Sequence, residues 1–105
     1  MFHGLTAMPD GAFEYHADIA YSPSAFRNYL ARATDVTAYD DAGAVLSASD
    51  GKKTWRIALG SERFEGIALM KMSRMTMQLR LEGYPRAEAD AFLDRFLKHY
   101  QRGGG

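Results

Sequence analysis

The stretch Phe13-Glu14-Tyr15-His16-Ala17-Asp18-Ile19-Ala20-Tyr21-Ser22-Pro23 decides the fold. Phe13, Tyr15, Ala17, Ile19 and Tyr21 fall on one side and Glu14, His16 and Asp18 on the other, the period-2 pattern of a half-buried strand over 12–21. At Ser22-Pro23 the period changes. Serine supplies an N-cap and proline suits the first helical turn, and Phe26, Tyr29, Leu30 and Ala33 then recur at helical spacing, which predicts a short helix over 23–32.

Downstream, 34–39 reads as a weak strand and Asp40-Asp41-Ala42-Gly43 as a turn. Asp50-Gly51 lies between two β-compatible runs, so a hairpin over 44–59 with a two-residue type I′ turn is expected. That register sets Leu46 opposite Trp55 and Ala44 opposite Ile57 on an apolar face, with Ser47 opposite Thr54 and Val45 opposite Arg56 on a polar one. A second long hairpin is expected over 63–82. With its tip at Ser73-Arg74, Met72 pairs with Met75 and Met70 with Met77 inward, while Leu69 faces Gln78 and Ile67 faces Arg80 on the outer side. After Gly83-Tyr84-Pro85, the residues Ala89, Phe92, Leu93, Phe96, Leu97 and Tyr100 follow i, i+3, i+4 spacing, which predicts a long helix that stops at Gly103. Phe92 and Phe96 are expected on its sheet-facing side.

The order is one strand, a helix, about five antiparallel strands and a long helix, which makes the chain α+β: a curved antiparallel sheet of about six strands with helices on one face. This β-α-β5-α order resembles the small helix-grip and TATA-binding-protein-like architectures, in which a curved sheet wraps the last helix. The resemblance covers nearly the whole chain at the level of element order, and no family motif accompanies it.

The composition bounds the function classes. The 105 residues are 47% hydrophobic and 25% charged, the profile of one domain over 1–102, with the glycines 103–105 expected to fray. There are no cysteines, so disulfides, thiolate metal sites and cysteine nucleophiles are excluded. No segment reads as a signal peptide or membrane span, which gives the expectation of a cytoplasmic, bacterial-type protein with no membrane partner. Thirteen acidic and thirteen basic side chains cancel, and no aromatic residues interleave with Arg56, Arg63, Arg74 and Arg80, so nucleic acid is not expected as a partner. Charge is nevertheless uneven along the chain: residues 1–50 hold seven acids and two bases, and 51–105 six acids and eleven bases.

That asymmetry bears on the candidate site. With the first strand antiparallel to the last, Glu14, His16 and Asp18 lie against Arg74, Thr76, Gln78 and Arg80 on the outer face. The plain reading is a cross-strand ladder of solvated charges. The sharper one is an imidazole between two carboxylates, about 7 Å from each along the strand, that binds a divalent metal or orients a general base. Met70, Met72, Met75 and Met77 read as core packing, against an apolar pocket or a Cu(I) site. No nucleophile elbow or phosphate-cradling loop is present, so no catalytic residue, metal or cofactor is assigned.

Leu69 and Ile67 form an apolar centre on an otherwise polar open face, which suits isologous pairing; a one-residue register shift turns them inward instead. The expected function is a non-enzymatic binding or assembly module, a homodimer through the open sheet face. The alternative is a small-ligand sensor or small enzyme that uses Glu14, His16, Asp18, Arg56 and Arg80.

Overall fold

A computed structural model of the chain describes residues 4–67 and 70–104, with side chains described as far as Tyr100 and not for Ile67 and Met70. Among the described residues the elements are β1 (Thr6–Ala7), β2 (Phe13–Ile19), α1 (Pro23–Thr34), β3 (Asp40–Asp41), β4 (Val45–Ser49), β5 (Thr54–Leu59), β6 (Arg63–Ile67), β7 (Met70–Glu82) and α2 (Arg86–Gly104). The strands form an antiparallel sheet in the order β1-β2-β7-β5-β4-β3, with β6 also on β7. The α+β class holds, and β1 adds a strand ahead of the expected β-α-β5-α order.

Local chemistry explains most boundaries. Ser22 caps α1, its Oγ accepting from the Ala25 amide at 3.1 Å, and Pro23 opens the first turn. The helix ends at Thr34, two residues later than expected, and Asp35 follows with φ 61°, a left-handed C-cap that aspartate tolerates. The chain then leaves 36–39 outside any ladder, and only Asp40–Asp41 reach β4, opposite Ser47 and Leu46. The strand expected at 34–39 is therefore a loop whose Val36 and Tyr39 pack on the core. At the other end, α2 runs through Gly104, one residue past the expected stop, within the margin by which helix ends are defined. Gly105 lies outside the described residues.

The β4–β5 hairpin differs in register from its expectation. Ser49 pairs with Thr54, Ala48 with Trp55 and Leu46 with Ile57, a slip of two residues that opens a four-residue loop at 50–53. A type I′ turn needs positive φ at both central residues; here Gly51 alone has it, at 95°. Asp50 Oδ1 instead accepts from the amides of Lys52 and Lys53 at 3.0 and 2.7 Å. A slip of two preserves the faces, so Leu46, Trp55 and Ile57 still point inward.

The expected tip at Ser73-Arg74 is overturned. Ile67 pairs with Met70 and Arg63 with Arg74, so β7 runs unbroken through Ser73 and Arg74 for 13 residues. On one continuous strand, alternation sends Met75 and Met77 into the core and leaves Met72 43% exposed, so the four methionines do not share an inward face. The pairings of Ile67 with Arg80 and of Leu69 with Gln78 fall with that tip; Leu69 lies outside the described residues. Strands β5 and β6 follow one another along the same edge of β7. Gly60 donates its amide to the Thr76 carbonyl, and Arg63 then faces Arg74, one extra residue having been inserted in the manner of a bulge. The other edge of β7 is paired with β2 only from Met75 to Leu81. Residues 63–67 and 70–74 thus form a two-stranded ribbon beyond the β2 pairing.

Both helices cover the apolar face. Phe26, Leu30 and Ala33 of α1 meet Ala89, Leu93, Phe96 and Tyr100 of α2 above Leu46, Trp55, Ile57, Met75, Leu79 and Leu81. Tyr100 stacks on Phe26 with centroids 4.5 Å apart and donates its hydroxyl to the Phe26 carbonyl at 2.7 Å. Tyr21 donates in turn to the Tyr100 carbonyl at 2.7 Å. Of the pair expected to face the sheet, Phe96 is fully buried, while Phe92 is half-buried at the rim between Tyr84 and Phe96.

Candidate functional site

Alternation along β2 turns Glu14, His16 and Asp18 away from the helices, and the β2–β7 register sets them opposite Arg80, Gln78 and Thr76. The expected cross-strand ladder is present on this open face, with Arg56 of β5 directly opposite Arg80 on the other side. Arg80 is its hub. Its guanidinium donates to Glu14 Oε2 at 2.7 Å, to Glu82 Oε2 at 2.7 Å and to Asp10, which lies in the connection between β1 and β2. Arg56 reaches Glu82 at 3.5 Å.

Glu14 is only 9% exposed although it stands on the outer face, because Arg80, Gln78 and His16 close over it. Gln78 donates to Glu14 Oε1 at 3.4 Å, and His16 Nε2 lies 3.0 Å from the same oxygen. The trio Glu14, His16 and Asp18 does not converge. Asp18 turns to Arg63 at 2.7 Å and Arg74 at 3.2 Å, and Arg74 also approaches Glu65 at 3.8 Å. The face therefore carries two separate ion clusters, one centred on Arg80 and one on Asp18.

Electrostatics follow from these partners. His16 and then Arg80 hold the Glu14 carboxyl below its ordinary range, Arg63 and then Arg74 do the same for Asp18, and the Ala12 amide followed by Arg80 for Asp10. The carboxylates of Glu82, Asp10 and Glu14 in turn keep Arg80 protonated well beyond its ordinary range. Each carboxylate is thus fixed as an anion at neutral pH and already saturated with donors, a poor condition for a general acid and for a general base that must take up a proton. These matched charges link β2, β7, β5 and the connection between β1 and β2.

The structure brings Glu14, His16, Arg56 and Arg80 together and sets Asp18 in the neighbouring cluster. Ile67 ends β6 at the ribbon tip, away from that lattice in the register. Reasoning from the sequence missed Asp10 and Glu82 as partners of Arg80. Glu82 could have been found from the strand period, since it follows Arg80 by two residues on one strand face; Asp10 sits in a turn whose path the sequence does not specify.

No helix among the described residues is long and apolar enough to cross a membrane. No protein-family model matches the sequence, and no curated protein or solved structure matches it with significance.

Proposed function

We propose that the chain is a non-enzymatic assembly module that pairs with a second copy of itself through the β6–β7 ribbon and the adjoining open sheet face. The observation that carries this reading is the ribbon. Phe64 is 66% exposed and Met72 43% exposed on a two-stranded extension whose β7 edge has no β2 partner before Met75. A two-stranded ribbon is marginal in water, and an open edge with apolar side chains beside it is a template for another strand.

The occupant in this reading is the same chain. The charges around the ribbon balance within one copy, Arg63 and Arg74 against Asp18 and Glu65, and the whole chain has a formal net charge of zero, so two copies approach without net repulsion. Antiparallel pairing of the two β7 edges about a twofold axis near Met72 satisfies both edges at once. The saturated ion lattice of the sheet face supports recognition over catalysis. The setting in this reading is a bacterial cytoplasm, where a cysteine-free fold needs no oxidising compartment.

Sedimentation and native mass measurements test it. Wild-type protein is expected as a dimer, and Met72→Glu, which sets a carboxylate at the centre of the contact, as a folded monomer with an unchanged far-UV spectrum. Wild-type protein that sediments as a monomer at high micromolar concentration overturns the reading, as does a Met72→Glu variant that remains dimeric.

A further inference from the structure

The free edge of β7 has a definite length. Pairing with β2 stops at Ile19 opposite Met75 and β7 begins at Met70, so residues 70–74 have no neighbour on that side among the described residues. A groove of about 230 Å³ opens at the inner end of this edge, where β2 leaves β7. Arg74 belongs to both, as the last residue of the edge and as part of the groove wall. The half-buried Ile19, Ala20 and Leu97 line the groove together with the buried rings of Tyr21, Phe26 and Tyr100.

The two charged groups in the wall, Arg74 and Asp18, are bonded to one another at 3.2 Å, and Tyr21 and Tyr100 commit their hydroxyls to backbone carbonyls. Most of what remains is hydrocarbon and aromatic ring, so the groove favours an apolar side chain over an ion.

The chain carries a segment of that kind at the end of the ribbon. Ile67, Ala68, Leu69 and Met70 follow one another without a polar residue, where a solvated turn would carry glycine, asparagine, aspartate or serine. Twofold pairing about Met72 sets the partner's Met70 opposite Arg74. The next position of the partner falls opposite Met75, a place that Ile19 already holds, so the partner chain has to turn there. Its β7 begins at position 70, and the turn therefore comes where the free edge ends. Counting back from Met75 and Met77 by the strand period puts position 69 on the face that carries the core.

We propose that the partner's Leu69 occupies this groove, and reciprocally, so that each copy completes the apolar corner of the other. The proposal rests on the self-association read from the ribbon and adds a specific contact to it.

Because the chain has no cysteine, introduced thiols report the contact on a clean background. Leu69→Cys mixed with Ala20→Cys is expected to give a covalent heterodimer on mild oxidation, at least tenfold faster than Leu69→Cys mixed with Lys52→Cys on the exposed turn. Leu69→Ala is expected to raise the dimer dissociation constant at least tenfold with an unchanged far-UV spectrum, and Leu69→Met to restore most of the affinity. A wild-type monomer overturns the self-association and the groove contact together. A wild-type dimer whose Leu69→Cys and Ala20→Cys variants cross-link no faster than the control overturns the groove contact alone, as does a Leu69→Ala variant that dimerises as tightly as wild type.

Discussion

From Met75 to Leu81, β7 has β2 along one edge, β5 along the other from Met77, and two helices over its inner face; from Met70 to Arg74 it has β6 alone. The same alternation runs through both halves, with different results. In the backed half Met75, Met77, Leu79 and Leu81 are buried, whereas Phe64, which stands opposite Ser73 on the continuation of that same face, is 66% exposed. Side-chain period alone does not determine burial. It sorts residues into two faces, and the packing layer decides which part of a face becomes core.

The largest expected effect removes that layer. Phe96→Ala deletes a fully buried ring that touches both Phe26 and Tyr100, and should cost about 3–5 kcal/mol in urea unfolding. A loss below about 1 kcal/mol would show that α2 does not back the sheet. The contrast between the halves is sharpened by two truncations on the same face. Met75→Ala should cost about 2–5 kcal/mol and Phe64→Ala less than about 0.5 kcal/mol when unfolding is referred to the monomer. Equal costs would erase the distinction between the halves.

A smaller effect concerns the hairpin that adjoins the backed half. Gly51→Val forces a β-branched residue to a φ of 95° and should lose about 1–3 kcal/mol, against no change for Lys52→Gln on the exposed turn. Lys53 is unsuitable as the neutral control, since it is bound to Glu88. The mildest perturbation is acid. The Asp10, Glu14 and Asp18 carboxyls titrate below their ordinary values, so the stability they contribute is complete above about pH 4.5 and lost as the pH falls through their lowered values. Thermal melts should therefore be flat from pH 7 to pH 5 and fall below about pH 4. A melting temperature that rises on acidification would contradict the ion lattice.

Much of this architecture is legible in the residues. The alternation of 13–21, the Ser22-Pro23 cap, the stripe of α2 and the attraction between an acidic first half and a basic second half lead to β2 beside β7 with Glu14, His16 and Asp18 against Arg74, Thr76, Gln78 and Arg80; the structure adds the register that sets Glu14 opposite Arg80. Turns are where the reading fails, because their chemistry is local and permissive. Asp50-Gly51 suits both a two-residue and a four-residue connection, and the even slip between them leaves every face intact. The chain between Ile67 and Met70 carries none of the usual turn residues, so nothing in its sequence marks it over Ser73-Arg74, and the observed register separates methionines that a tip at Ser73-Arg74 would join.

The hydrogen bonds from Tyr21 to Tyr100 and from Tyr100 to Phe26 span 79 and 74 residues, and they have a consequence in time. During synthesis β2 and α1 leave the ribosome before the strand that pairs with β2 and the helix that covers α1. Until then Tyr15, Tyr21 and Phe26 lack Tyr100 and the β7 side chains that bury them, so the long-range contacts of this fold form only after β7 and α2 are made.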